Sequence, residues 1–124
     1  MTPIKDDVQA LRASGLTVST FSNGNGWNVV VESYKLPVDL YDQPTVDILI
    51  QIPEAYPQAK LDMFWLYPTT RLASGELAKR TEHMESHLDR KWQRWSRHYA
   101  WDPQRHSLLT HFEAIEQALM EPNK

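Results

Sequence analysis

The sequence predicts an α+β domain, with one helix ahead of a set of antiparallel strands and one behind it. Three observations carry this. Val8 and Leu11 share a helical face that Gly15 closes. β-Branched residues alternate with polar ones on both sides of Asn23-Gly24-Asn25-Gly26. Leu108, Leu109, Phe112, Ile115 and Leu119 then form an apolar stripe at helical spacing. A chain of 124 residues has the length of one domain, and residues 1–124 read as a single unit. Such a chain buries about two thirds of its unfolded surface, so its core needs no staple.

Thr2-Pro3 supplies a cap and a residue suited to the first helical turn, which predicts a short helix over residues 3–14. Leu16, Val18 and Thr20 then alternate as a strand. Asn23 to Gly26 has the composition of a tight hairpin turn, and Trp27 to Glu32 reads as the return strand. Residues 36–44 read as an irregular link. Val46 to Ile52 is the clearest strand, with Ile48, Ile50 and Ile52 on one face. Pro53 to Pro57 breaks it. Met63 to Tyr67 is a short apolar strand stopped by Pro68. Residues 69–100 are less regular, with a sparse helical pattern from Glu76 to Leu88. Asp102-Pro103 repeats the cap-plus-proline start before the last stripe.

Composition excludes several classes. There is no cysteine, so disulfides, thiolate zinc sites and a thiol nucleophile are absent from these residues. The net charge of −3 argues against nucleic acid as the partner of the whole chain. No apolar run approaches the roughly 20 residues of a membrane span, and the first residues lack a leader pattern. The expected location is the cytoplasm, with no membrane partner. Asn23 to Gly26 is followed by a strand and not by a helix N-terminus, so it is a turn and not a phosphate loop. No cofactor is expected.

Several motifs together resemble the ubiquitin-conjugating (UBC-like) family. Pro53 with Tyr56-Pro57 resembles its Pro-x-x-Tyr-Pro signature, Met63-Phe64-Trp65 stands where its next strand runs, and Trp101-Asp102-Pro103 resembles its Trp-x-Pro signature. Asp62-Met63-Phe64-Trp65 and Trp92-Gln93-Arg94-Trp95-Ser96-Arg97-His98 are similar to a prokaryotic branch of that superfamily. The resemblance implies a UBC-like fold with a β-meander, an irregular active-site-like segment and a C-terminal helix. It implies a ubiquitin-like protein and its activating enzyme as partners, in a bacterial conjugation pathway. Antiviral defence is one setting that it suggests.

The pattern departs at the chemistry. The family's active cysteine lies about eight residues before the Trp of Trp-x-Pro, and that count lands on Gln93. Its His-Pro-Asn tripeptide lies about ten residues further back, and that count lands on His83, followed here by Met84 and Glu85. Acyl transfer needs a nucleophile that also leaves well, and a glutamine amide does neither. Three readings stay open. The chain is a noncatalytic relative that binds a ubiquitin-like protein or its activating enzyme; it uses Ser96, assisted by His98 or His83; or a cysteine has been substituted, which leaves a trapped enzyme.

Residues 90–98 interleave cations with two indoles. Trp92, Arg94, Trp95 and Arg97 are candidate partner contacts, because Arg and Trp suit recognition of a carboxylate-bearing partner. The bland alternative packs the indoles in the core and leaves the cations solvated or paired with acids such as Glu82, Glu85 and Asp89. A nucleic-acid face built on the same residues lacks any matching motif. His83 and His87 are spaced for one helical face, but His83-Met84-Glu85-Ser86-His87 is not the zinc protease signature, and no metal site is expected.

Overall fold

The computed structural model describes residues 4–24, 26–98 and 100–124. In chain order the elements are α1 (Lys5–Ala13), β1 (Thr17–Asn23), β2 (Gly26–Lys35), β3 (Thr45–Ile52), β4 (Phe64–Tyr67), β5 (Met84–His87), β6 (Arg90–Trp95) and α2 (Leu108–Met120). The Thr2-Pro3 cap lies outside the described residues. Ile4 occupies the N-cap position of α1, Asp6 and Asp7 sit in its first turn, and Val8 and Leu11 are buried. The acids suit the positive end of the helix dipole. Gly15 follows at φ +98°, as a left-handed closing residue should.

The six strands form one antiparallel sheet in the order β1-β2-β3-β4-β6-β5. Asn23 pairs with Gly26 across the first turn, and Asn25 between them lies outside the described residues. Gly26 is required there, because a side chain would collide with the Ile52 carbonyl of β3. Both helices cover one face of the sheet. Val29, Val31, Ile48, Ile50, Phe64, Leu66 and Trp95 meet Val8, Leu11, Phe112 and Ile115 in the main core. The opposite face carries a small cluster of Val30, Leu49, Trp65 and Trp92.

Two expectations are corrected here. Residues 76–88 form no helix. Strand β5 occupies 84–87, and Leu88-Asp89 make a two-residue hairpin loop into β6, both at positive φ (52° and 62°). The apolar positions were too sparse to bury a helical face, whereas 83, 85 and 87 share a face at the strand period. Likewise, α2 does not begin at Asp102-Pro103. That segment is a turn in which Asp102 Oδ1 accepts the Gln104 N–H at 3.0 Å. The helix begins at Leu108 behind Ser107, whose N–H is taken by Thr110 Oγ1 at 2.8 Å.

Tyr56 ties the layers together. Its hydroxyl donates to Asp7 of α1 at 2.7 Å and accepts the Leu108 N–H at the start of α2 at 2.8 Å. Burial raises its pKa, and the Asp7 carboxylate adds to this. Trp101 donates its indole N–H to the Pro57 carbonyl at 2.9 Å. No helix of the described residues is long and apolar enough to cross a membrane.

Candidate functional site

The segment that sequence reasoning singled out, residues 90–98, is strand β6 and the three residues after it. In a strand, positions three apart point to opposite faces. Trp92 therefore packs on Val30, Leu49 and Trp65 behind the sheet, while Trp95 stacks on Phe64 beneath the helices at 5.4 Å between centroids. Their exposures are 1% and 0%. Both indoles are thus packed into the two cores, as the alternative reading had it, although Trp92 also lines a surface cavity with Leu88, Asp89 and Arg90.

The β5–β6 hairpin curls over the back of the sheet. β5 lies three strand spacings from β3, about 14 Å in a flat sheet, yet His87 Nδ1 of β5 lies 3.4 Å from Gln51 Nε2 of β3. Arg90 closes the same curl by donating to Asp47 Oδ2 at 2.8 Å. Glu85 sits at the centre. One carboxylate oxygen accepts from Trp65 Nε1 at 3.0 Å and faces His87 Nε2 at 2.9 Å. The other accepts from Arg94 at 3.1 Å and lies 3.2 Å from His83 Nε2. Gln51 continues the chain toward Asn28 at 3.5 Å. Burial pushes the Glu85 carboxyl up, but the His87 and Trp65 hydrogen bonds and the Arg94 charge outweigh it, so its pKa falls below the ordinary value. Glu85 is therefore a fixed anion that orients two imidazoles and a guanidinium.

Gln93, at the counted nucleophile position, is fully buried on the helix side. Its amide copies a strand partner. Oε1 accepts the Thr70 N–H at 3.0 Å, Nε2 donates to the Thr70 carbonyl at 3.0 Å, and Trp95 Nε1 donates to Oε1 at 3.3 Å. Ser96 is half-buried. The two histidines proposed to assist it are engaged elsewhere: His83 with Glu85, and His98 through Nδ1 with Asp62 Oδ2 at 2.9 Å. The structure thus does not gather His83, Gln93, Ser96 and His98 into one constellation. Among the described residues, no group of three or more His, Asp or Glu is disposed to hold a metal.

Arg97 leaves the strand and spans to the C-terminal segment. It donates to the carbonyls of Lys79, Ser96 and Pro122 at 2.9, 2.9 and 2.8 Å, and its guanidinium lies over the Trp95 ring at 5.0 Å. His111 of α2 packs beside this segment. Burial lowers its pKa to about 4, against the pull of the Met63 carbonyl and Asp62.

Two of the motifs that carried the family resemblance meet in space, since Trp101 of Trp-x-Pro bonds the carbonyl of Pro57 in Tyr-Pro. The family model described as prokaryotic E2 family E matches residues 4–122. The chain belongs to that family. No curated protein and no solved structure matches it. For an E2 family E chain, the helix, antiparallel sheet and final helix form the α+β arrangement consistent with a UBC-like fold. Sequence reasoning missed Gln51 and Asp62 as organisers of this region and had Glu85 only as one of three acids able to pair with the cations of residues 90–98. A signal for Glu85 was present: His83, Glu85 and His87 alternate, and so do Arg90, Trp92 and Arg94, on either side of a two-residue loop.

Proposed function

We propose that this E2-like chain acts as a noncatalytic member of a ubiquitin-like conjugation pathway, binding a ubiquitin-like protein or its activating enzyme. One observation carries the reading. The family match spans residues 4–122, yet the chain has no cysteine, and the counted nucleophile position holds a glutamine whose amide is consumed by Thr70. A family surface without a thiol can still recognise its partners, whereas acyl transfer through sulfur has no atom to use. Arg94 and Arg97 are the proposed partner contacts. Their guanidiniums suit a carboxylate-bearing surface.

The test is intact mass after incubation with an activating enzyme and ubiquitin-like protein encoded beside this gene, with ATP. The expected result is no covalent increase and a co-eluting complex on size exclusion. An adduct stable to thiol reductant but cleaved by hydroxylamine, and lost in Ser96→Ala, would replace this reading with a serine-based transferase. A cysteine between positions 83 and 98 of the natural gene would mark a trapped enzyme instead. Absence of both adduct and complex would sink the partner assignment.

A further inference from the structure

We propose that the cavity between α2 and the start of β4 binds a carboxylate on a short apolar chain, gripped by Arg97. The cavity has a volume of about 200 Å³. Met63, Phe64, Ile115 and Ala118 supply apolar wall, and Arg97, His98, His111, Gln117, Glu121 and Lys124 supply the polar lining. At ~30 Å³ per water in the liquid, that is room for roughly six or seven waters, the scale of a small acid with a few carbons.

The argument for an anion comes from Arg97. Its bonds to protein go to the three neutral carbonyls of Lys79, Ser96 and Pro122. Among the described residues, no carboxylate lies within ion-pair distance of it. Glu121 is the acid in the cavity lining, and it pairs with Lys124 at 3.1 Å. Burial lowers the Arg97 pKa; Tyr41 opposes this and Arg80 adds to it. A cation drawn out of water without a counter-anion is costly, and an incoming anion relieves that cost. Stacking on Trp95 fixes the guanidinium plane. The three carbonyls leave Nε–H and one N–H of the second terminal nitrogen for a ligand. In-plane donors of this kind match the two oxygens of a carboxylate. The apolar walls then select an acid with a hydrocarbon tail over a bare inorganic anion.

The experiment titrates the ¹⁵N-labelled chain with sodium butyrate, with butylamine as the charge-reversed control. A parallel arm uses acetyl-Ala-Leu as free acid and as amide, to separate a free small acid from a peptide C-terminus. No protein partner is present, so failure here leaves the partner reading intact, and loss of the partner reading leaves this site standing. Saturable amide shifts are expected at Met63, Phe64, Ala114 and Ala118 with butyrate and not with butylamine. Arg97→Lys should weaken binding about tenfold by removing the planar fork. Ala118→Leu, which fills the cavity and keeps Arg97, should abolish it; this variant carries the test if Arg97→Lys fails to fold. Butyrate binding alone assigns a small-acid site, and tighter binding of the peptide acid than of its amide assigns a C-terminus. No saturable shift with either acid, equal shifts with butylamine, or unchanged binding in Ala118→Leu would overturn the proposal.

Discussion

Restoring a cysteine at the counted position is the sharpest perturbation available. Gln93→Cys puts sulfur where the family count expects it, and the structure says that it will be both costly and unreactive. The substitution removes the acceptor for the Thr70 N–H, the donor to the Thr70 carbonyl and the acceptor for Trp95 Nε1. Each buried partner left unmet costs about 1–3 kcal/mol, and the lost side-chain volume adds a cavity term. A total of roughly 3–9 kcal/mol before the cavity term is expected, against a domain stability of about 5–15 kcal/mol. Urea denaturation followed by tryptophan fluorescence measures the first quantity. Reaction of the native protein with a chromogenic thiol reagent measures the second, with Ser96→Cys as the reachable control, since Ser96 is half-buried. Native Gln93→Cys should react only as fast as the protein opens. A variant within about 1 kcal/mol of the parent, near the roughly 0.5 kcal/mol range of exposed substitutions, with a thiol that reacts as fast as that of Ser96→Cys, would refute the sealed-glutamine argument.

The remaining predictions concern pH, strain and the Glu85 hub. His111 has a folded pKa lowered from 6.5 to about 4, so the unfolded chain binds the extra proton, and stability falls as pH drops from 6.5 toward 4. The loss should approach about 3 kcal/mol, and His111→Phe should flatten the slope between pH 6.5 and 5 in thermal melts. Glu85 is also lowered, so its contribution is lost only below the ordinary carboxylate range, outside that window. Leu88 holds φ 52° in a loop that favours Asn or Gly, so Leu88→Asn should stabilise the chain by about 1 kcal/mol; no gain in urea midpoint would contradict the strain. Glu85→Ala strips an acceptor from Trp65 and Arg94 and should cost roughly 2–4 kcal/mol, read by the same denaturation.

The sheet core was legible because β-branched alternation has few other uses. Ile48, Ile50 and Ile52 share the main core, as their spacing implied, and Leu49 between them faces the other way. The last helix was legible from its stripe, but not its start, because Asp102-Pro103 serves a turn as well as a cap. The β5–β6 hairpin was obscured by its loop. Leu88-Asp89 is not a residue pair that announces a turn, so the alternation on either side of it passed for a weak helix. Asp62 and Gln51 were illegible for a different reason. Their partners lie 36 residues away in each case, and no local pattern encodes such pairings.

The period of residues 90–95 decides what this region can do. As a helix it would have put both tryptophans, three apart, on one face and Arg90 and Arg94, four apart, on another. As a strand it divides its side chains between the two faces of the sheet. The helices take Gln93 and Trp95, and the back of the sheet takes Trp92, while Arg94 on that face stays partly exposed beside Glu85. A nucleophile needs access, and access requires leaving the sheet. The chain leaves it at Ser96, and from there Arg97 and His98 line the cavity beside α2. Whatever chemistry this E2 relative retains on this side is therefore expected after the strand, while Arg94 and Arg97 flank Ser96 as the proposed recognition residues. Gln93→Cys and Ser96→Cys, read side by side, separate those two positions.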